Sequence, residues 1–349
     1  MITCFNVKSA DDLWEEVLTS LKEGVGWQVQ EGRGGKTLEK LHVAFSIQNP
    51  LDRWMVSRNP PINPAFAIAE VVWILTGRND SAFLRSFFPG ISEFQGNMDF
   101  FPGAYGTRLK KHYGIDQLER AYEALKSNST SRQIVLQIWD PTVDFPKPNG
   151  EPTSRDIPCN ITSLLKVRNG ALEWTQIIRS NDAFRGLPYN IIQFTTLQEI
   201  LAGWLDLRVG SYNQISDSLH FYSADIRENI ENQTGERFQN TDSLMLPKEK
   251  STKFFEELAY RIDIIRNQNV SQYEIELASN WDEAPIAYRN LSLLMSAEIA
   301  RRRGWPDLAS KISSQITNPV FRALWLRWFL RNDTKTKTAS KETLRPMET

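Results

Sequence analysis

The sequence predicts an α+β fold, in which a mixed β-sheet packs around a buried central helix and further helices follow towards the C-terminus. Two strand-like runs, Asn160 to Arg168 and Leu172 to Arg179, are joined by Asn169-Gly170, a dipeptide typical of a tight hairpin. Residues 189–205 have helical spacing and are apolar on most sides, which is typical of a helix buried at the centre of a domain. These runs follow one another along the chain, so strands and helices belong to one mixed unit.

The N-terminal part alternates between helical and strand-like patterns. Residues 10–22 space their apolar side chains like a short amphipathic helix, and the glycine-rich run Glu31 to Lys36 predicts a flexible turn. Leu41 to Ile47 alternates apolar residues with smaller or polar ones, which indicates a strand. Asn63-Pro64 then begins a helical run from Ala65 to Thr76, which a glycine ends.

The middle of the chain contains more turns. Residues 89–114 are rich in Gly, Pro and aromatic side chains and predict a loop with little regular structure. Gln133 to Trp139 and Tyr212 to Tyr222 predict strands, and Pro141 to Pro158 predicts a turn-rich segment between the first of them and the hairpin. The sheet therefore draws its strands from both sides of the central helix.

The C-terminal third has a different composition. Residues 251–267 and 285–331 predict helices rich in Trp, Leu and Arg. The last residues, from Asp333, are polar enough to predict a disordered tail. We therefore expect a main domain at residues 1–230, a helical extension at 231–332 and the tail at 333–349.

Composition excludes several classes of function. The 41 basic and 42 acidic side chains give a net charge of −1, which argues against binding to a nucleic-acid polymer. No apolar run has the length of a membrane span, and the first residues lack a signal-like apolar stretch. Two cysteines and three scattered histidines predict neither a disulfide framework nor a metal site, and they favour the reducing cytoplasm.

The two cysteines lie in different surroundings. A lone cysteine is most often a small apolar residue of the core, which is our interpretation of Cys4. Cys159 follows Pro158 where a Pro-rich loop meets a strand, a position that holds a side chain rigidly beside a cavity. Arg179 suits phosphate binding and would favour the thiolate nearby, but a solvated strand end explains this arginine equally well.

An ordered set of motifs resembles the signature of the thymidylate synthase family over roughly residues 30–225. The motifs are Asp156-Ile157-Pro158-Cys159, the run Gln176 to Asp182, Gly186-Leu187-Pro188-Tyr189-Asn190 and His220-Phe221-Tyr222, with Arg33, Glu70-Val71-Val72-Trp73, Ala104-Tyr105-Gly106 and Ser131-Arg132 upstream. Each motif alone is weakly diagnostic, whereas their order and spacing are specific.

The resemblance implies a set of catalytic and nucleotide-binding residues. Cys159 would add to C6 of a uracil ring, and Glu70 and Tyr105 would move protons, although Glu70 could equally be an acid on an exposed helix face. Asn190 would face the pyrimidine edge, where its amide suits O4 and N3–H of uracil and so favours dUMP over dCMP. The expected phosphate-binding residues are Arg33, Arg132, Arg179 and Ser180, and the expected partners of the 3′-hydroxyl are His220 and Tyr222.

The resemblance also implies a co-substrate and a partner. Members of the family use 5,10-methylenetetrahydrofolate, which Asp182, Gly186 and Trp73 would contact here. Family members are homodimers, so Arg132 would come from the other subunit. The implied partners are therefore dUMP, a folate and a second copy of the chain.

Several residues depart from the family pattern. Asn160 stands where a histidine usually follows the cysteine, and Gln133 replaces a second arginine. Arg185 replaces an apolar residue expected over the folate, and Ile91 and Phe94 lie where two tryptophans are expected. The nucleotide half of the pattern is therefore more complete than the folate half.

Three functions are compatible with this pattern. A thymidylate synthase would methylate dUMP, and a nucleotide hydroxymethylase would share the early steps but let water complete the transfer. A nucleotide-binding module without activity would have no need of Cys159, Glu70 and Tyr105 together. The sequence favours the synthase narrowly over the hydroxymethylase.

Overall fold

The fold was analysed in a computed structural model, which describes residues 2–32, 34–91, 98–227, 231–232 and 237–343. Its strands are β1 (Thr3–Val7), β2 (Gln28–Gly32), β3 (Gly35–Ile47), β4 (Arg58–Asn59), β5 (Ile134–Gln137), β6 (Asn160–Arg168), β7 (Ala171–Ile178), β8 (Asn181–Asp182), β9 (Arg208–Tyr222) and β10 (Glu231–Asn232). The main sheet has the order β1-β3-β9-β7-β6-β5, with β2 paired to β3 and β8 paired to β9. Parallel and antiparallel pairs both occur, so the predicted mixed sheet is confirmed.

The hairpin between β6 and β7 forms where the sequence predicts it. Asn169 has φ of 50° and Gly170 has φ of 70°, the left-handed conformations that a two-residue hairpin turn requires. β7 then pairs in parallel with β9, and the chain crosses between these strands through one long helix. This crossover carries the residues between the hairpin and β9 over one face of the sheet.

The helices are α1 (Ala10–Glu23), α2 (Pro64–Leu75), α3 (Ser81–Arg85), α4 (Tyr105–Thr107), α5 (Gln117–Ser127), α6 (Pro141–Asp144), α7 (Leu187–Trp204), α8 (Ser223–Arg227), α9 (Lys248–Ile265), α10 (Gln272–Ser279), α11 (Ile286–Arg302), α12 (Pro306–Ser313) and α13 (Pro319–Thr343). The crossover helix α7 is buried along most of its length and packs on β7, β9 and α2. It is the predicted central helix. Asn63 caps α2 by accepting a hydrogen bond from the N–H of Phe66.

Some elements differ from the sequence prediction. In the run expected as a flexible turn at 31–36, residues 31–32 belong to β2 and residues 35–36 belong to β3, and the two pairs are in register with each other. The loop expected at 89–114 contains α4, a short 3₁₀ turn and a π-helical turn. The helical run expected at 285–331 is divided into α11, α12 and α13, with the left-handed Gly304 after α11 and Pro319 at the start of α13.

The C-terminal helices share one hydrophobic core with the main domain. Apolar residues from α1, α2 and α7 belong to the same buried cluster as those from α9, α11 and α13. The hydroxyl of Tyr288 on α11 donates to the carbonyl oxygen of Leu244 at 3.2 Å, and the N–H of Leu244 donates to Glu199 on α7 at 2.7 Å. The extension at 231–332 is therefore packed onto the main domain rather than tethered to it.

The last helix is longer than the sequence predicts. α13 continues to Thr343, whereas a disordered tail was expected from Asp333. Residues 344–349 lie outside the described residues. Among the helices described, none has the length and apolarity that a membrane span requires.

Candidate active site

Cys159 lies half-buried at the end of the loop that leads into β6. The backbone N–H of Arg179, at the end of β7, donates to the carbonyl oxygen of Cys159 at 2.9 Å. The Arg179 guanidinium donates from Nε to the carbonyl of Pro158 at 2.9 Å and from Nη2 to that of Ile157 at 3.1 Å. Arg179 thus holds the cysteine loop at three points and brings a positive charge beside the thiol.

Tyr105 reaches the same site because two glycines allow close packing. A Cβ on Gly103 would lie 2.8 Å from Pro158, and one on Gly106 would lie 2.8 Å from the backbone of α2. The loop before Tyr105 therefore packs on the cysteine loop, and α4 packs on α2. Burial raises the pKa of the Tyr105 hydroxyl, the nearby charge of Cys159 raises it further, and a hydrogen bond from the Asn160 side chain opposes both.

Glu70 projects from α2 into the buried space between α2 and α7. Burial raises the pKa of its carboxyl to about 8, and a hydrogen bond with the side chain of Gln193 on α7 partly opposes this shift. Its Oε2 is buried and has no hydrogen-bond partner among the described residues. A neutral carboxylic acid with an unsatisfied oxygen is suited to holding a water or a substrate and to exchanging a proton with it.

Asn190 is buried in the first turns of α7, behind the cysteine. Its Oδ1 accepts a hydrogen bond from Asn160 at 3.0 Å, and its Nδ2 donates to Oδ1 of Asn181 at 3.3 Å. Gly186, which precedes α7, packs closely here, because a Cβ would lie 3.2 Å from the carbonyl oxygen of Asp182 and 3.6 Å from the Asn190 amide nitrogen. Asn190, Asn160 and Gly186 therefore lie close together at the start of α7 and β6.

His220 and Tyr222 lie on one face of β9, with ring centroids 5.5 Å apart. The Tyr222 hydroxyl lies against the β2–β3 turn, since a Cβ on Gly34 would be 2.7 Å from it. Arg33, expected to bind phosphate, lies outside the described residues, as does Phe94. Burial lowers the pKa of His220, whereas the charge of the neighbouring Asp182 raises it.

Asp182 lies on β8, shortly after Arg179 and Ser180 in the sequence. Its Oδ1 accepts hydrogen bonds from the backbone N–H groups of Phe184 and Arg185, both at 2.8 Å. Burial raises the pKa of the Asp182 carboxyl. Arg185 forms a two-pronged ion pair with Asp225 of α8, at 2.9 and 2.7 Å, and its guanidinium lies 5.3 Å from the Tyr222 ring. Arg185 is therefore held in place by Asp225, an acid that the sequence interpretation did not include.

Three other residues of the expected site lie apart from this group or at its edge. Trp73 is 6% exposed, packs edge-on against Phe101 and donates its indole N–H to the carbonyl of Asp80 at 3.1 Å. Arg132 is exposed just before β5, and Ser180 is half-buried beside Arg179. Among the described residues, no group of three or more His, Cys, Asp or Glu side chains could hold a metal ion.

The sequence interpretation did not include Gln193, the partner of Glu70. A signal for it existed, because Asn190 and Gln193 are polar residues three positions apart among apolar neighbours in the first half of α7. Residues at this spacing share a helix face. The pair therefore marks the face of α7 that borders the site.

The site consists of a cysteine at a loop-to-strand junction with a buried carboxyl, a tyrosine hydroxyl and an arginine around it. This arrangement is typical of enzymes that act through a thiolate nucleophile. Residues 19–279 match the sequence profile of the family described as thymidylate synthase. The chain belongs to the thymidylate synthase family. The match extends beyond residue 230, so it includes α9 and α10 of the helical extension.

Individual relatives carry two kinds of name. The deoxyuridylate hydroxymethyltransferase of Bacillus phage SP01 is 34% identical over 255 residues, which are 68% of this chain and 65% of that protein. The deoxyuridylate hydroxymethyltransferase of Pseudomonas phage M6 is 32% identical over 175 residues, 50% of this chain and 48% of that protein. A Methanothermobacter marburgensis protein named "Putative thymidylate synthase" is 28% identical over 204 residues, 58% of this chain and 86% of that protein. The chain spans less than two thirds of the length of either phage relative.

Proposed function

We propose that this chain transfers a one-carbon unit to C5 of dUMP through a covalent bond between the Cys159 thiolate and C6 of the uracil ring. The observation that carries the proposal is that the buried hydroxyl of Tyr105 lies within electrostatic range of both Cys159 and Glu70. A protein that only binds a nucleotide needs neither a nucleophile nor a buried acid beside it. Membership of the thymidylate synthase family supports the same reaction.

Each residue then has a defined task. The thiolate of Cys159 forms a bond to C6, which makes C5 nucleophilic and places negative charge on O4. Glu70, with a pKa of about 8, is neutral at pH 7 and can donate a proton towards O4 through a water. C5 would then bond to the methylene carbon of the co-substrate. Loss of the C5 proton would expel the folate nitrogen and leave an exocyclic methylene on C5, and we assign the receipt of that proton to the hydroxyl of Tyr105 or a water beside it. Addition of water, or of hydride, to the methylene carbon would return electrons to the ring, break the C6–S bond and restore the thiolate.

The base would be bound by Asn190, and the sugar by His220 and Tyr222. The phosphate would be bound by Arg33, Arg132, Arg179 and Ser180. Arg179 already donates to two backbone carbonyls, so it would offer the phosphate its remaining N–H groups.

The co-substrate would be 5,10-methylenetetrahydrofolate, as in the rest of the family. It would supply the one-carbon unit and, if the product is dTMP, a hydride as well. Asp182 fits a folate ring because its Oδ1 is held by two backbone N–H groups while its other oxygen remains for a ring N–H. Gly186 lets the backbone pack closely on Asp182, because a Cβ would lie 3.2 Å from its carbonyl oxygen, and Trp73 would support the site from within the core.

The product we favour is 5-hydroxymethyl-dUMP. Two relatives that are 34% and 32% identical carry the name deoxyuridylate hydroxymethyltransferase. The Arg185–Asp225 ion pair places charged groups where an apolar residue was expected over the folate, which favours water near the transferred carbon. The second candidate product is dTMP, which the family name and the methanogen relative support.

Incubation with dUMP and methylenetetrahydrofolate, followed by mass spectrometry of the nucleotide, tests the proposal. A gain of a hydroxymethyl group is the expected result. A gain of a methyl group would establish the second candidate instead. Unchanged dUMP under conditions where the nucleotide binds would refute catalysis and leave a binding module.

We also propose a homodimer built on the face of the sheet opposite α7. Val135, Leu164, Thr175 and Asn213 form one row across four strands, because each is paired with the next in register. Val135 is 50% exposed and Ile215, in the next row, is 44% exposed. A second copy would cover this face and bring its Arg132 to the phosphate. Light scattering should give twice the mass of the chain, and a monomer that binds dUMP with full affinity would disprove this arrangement.

A further inference from the structure

A continuous chain of buried hydrogen bonds runs behind Asn190. It links β7, β6, α7, β8 and β9 through amide side chains. Asn160 and Gln176 are fully buried, and Asn181 is 1% exposed. Buried amides are costly unless their donors and acceptors are matched, so the direction of each hydrogen bond constrains the next.

The direction of the chain is set at Trp174. An indole N–H can only donate, and it donates to Oε1 of Gln176 at 3.2 Å. The hydroxyl of Ser163 lies 2.6 Å from the same oxygen and donates to it as well. A flipped Gln176 would place its NH₂ group against the indole N–H. Its nitrogen must therefore point the other way, where it donates to Oδ1 of Asn160 at 2.9 Å.

The same argument fixes the direction of each following hydrogen bond as far as Asn190, the residue expected to read the base. Because Oδ1 of Asn160 accepts from Gln176, its Nδ2 donates to Oδ1 of Asn190. Nδ2 of Asn190 then donates to Asn181, whose own nitrogen donates to the hydroxyl of Ser216 at 3.0 Å. An amide side chain has two N–H groups and two oxygen lone pairs. Asn190 therefore keeps one N–H group and one lone pair for a ligand, and the network prevents the side chain from turning over to exchange their positions.

The orientation of Asn190 decides which pyrimidine it can bind. Uracil presents an acceptor at O4 and a donor at N3, whereas cytosine presents a donor at N4 and an acceptor at N3. An amide that is free to rotate by half a turn can pair with either base. An amide held in one orientation pairs with one base and leaves polar groups unmatched against the other.

We propose that Trp174, Gln176 and Asn160 are positioning residues that hold the Asn190 amide in one orientation and so set the preference for uracil over cytosine nucleotides. The inference rests on the proposed function, because it concerns how the same site recognises its nucleotide. It adds residues that do not themselves read the base. The Asn160 side chain also interacts with the hydroxyl of Tyr105, so one amide adjoins both the base-reading and the proton-transferring side chains.

The test compares the affinities of the full chain for dUMP and dCMP, measured by calorimetric titration, in wild type and Gln176→Met. Methionine fills a similar volume but cannot donate to Asn160, so Asn160 and Asn190 become free to rotate. The ratio of the two affinities should fall by about tenfold. Ser163→Ala is the matched control: it removes the other donor to Gln176 but keeps that of Trp174, so the ratio should not change.

A second variant keeps the test decisive if Gln176→Met does not fold. Asn160→Asp has nearly the same shape, but a carboxylate accepts from Asn190 instead of donating to it, so the Asn190 amide should turn over. We expect this variant to lose affinity for dUMP and to gain relative affinity for dCMP. A ratio within about twofold of wild type in the folded variants would overturn the positioning role while dUMP binding stands. A wild-type protein that binds neither nucleotide would overturn the proposed function and this inference with it.

Discussion

Glu70 of α2 is hydrogen-bonded to Gln193 of α7, so the buried acid is held between the two central helices of the domain. Gln193 stands three residues after Asn190 on the same helix face. The helix that reads the base in our proposal thus also positions the acid. This arrangement joins recognition and proton transfer in one rigid element.

Replacing Glu70 by Gln should abolish most turnover and remove a pH dependence of stability. The pKa of about 8 lies above the ordinary value of 4.5, so the native state binds this proton more tightly than the unfolded state. The resulting stabilisation is complete below about pH 4.5 and is lost as the pH rises through about 8. Glu70→Gln should therefore become more stable relative to wild type as the pH rises over this window. Denaturant titrations across it provide the measurement, and parallel curves for the two proteins would contradict the buried-acid assignment.

Cys159→Ser should abolish turnover while leaving dUMP binding nearly intact, because a serine hydroxyl is a poor nucleophile towards C6 without a strong base. Cys4, which the sequence interpretation placed in the core, is exposed on the edge strand β1, so Cys4→Ser is a matched control that should retain full activity. Product formation by mass spectrometry and dUMP affinity by calorimetry provide the two measurements. If Cys159→Ser keeps a tenth of wild-type activity, the nucleophile has been assigned to the wrong residue.

Asn190→Asp should weaken dUMP binding and shift the preference towards dCMP, since a carboxylate repels O4 and accepts from the cytosine amine. One unmatched polar contact in a buried site costs about 1–3 kcal/mol, which a titration resolves. Asn190 is itself buried and bonded to two other amides, so thermal unfolding of the variant must be measured alongside. Unchanged discrimination in a folded variant would remove Asn190 from base recognition.

Arg185→Leu should change the use of the folate and barely affect dUMP affinity. Arg185 is 49% exposed but its partner Asp225 is buried, so the variant leaves a buried carboxylate unpaired, and its thermal unfolding must be measured alongside. An apolar side chain there should raise the proportion of methylated over hydroxymethylated product. Asp225→Asn is the companion variant, because it releases the arginine without removing it. An equal loss of dUMP affinity in both would place the pair on the nucleotide side of the site instead. If wild type and Arg185→Leu both form only dTMP, the protein is a synthase.

Glu199→Ala should destabilise the junction between the main domain and the helical extension. Glu199 on α7 accepts a hydrogen bond from Arg53 at 2.5 Å and from the backbone of Leu244 at 2.7 Å, and both charged side chains are buried. Removing one partner of a buried pair costs about 3–5 kcal/mol, because the other charge remains uncompensated. Glu151→Ala breaks the exposed pair with Lys147 and should cost at most about 1 kcal/mol. Similar unfolding free energies for the two variants would refute the role of Glu199.

Local patterns in the chain were sufficient for much of the fold. The Asn169-Gly170 turn, the Asn63 cap and the apolar run of α7 each act through neighbouring residues, and the structure has all three where the sequence predicts them. The short strands β1 and β2 and the helix α5 were not predicted. β1 owes its conformation to pairing with the distant β3, and such long-range pairing leaves little trace in a short segment. β2 pairs locally with β3, but it is exposed along its length and therefore lacks the apolar alternation that marks a strand.

For the candidate site, the sequence by itself determined the family and the residues that carry the resemblance, because ordered motifs such as Pro158-Cys159 and Gly186-Leu187-Pro188 can be recognised without coordinates. Only the tertiary structure decided which side chains meet. Three sets of contacts join residues from different elements: Arg185 with Asp225, Glu70 with Gln193, and the hydrogen-bonded amides from Trp174 to Asn190. Those pairings depend on burial and on the matching of donors to acceptors, and both arise only when the sheet and α7 pack together.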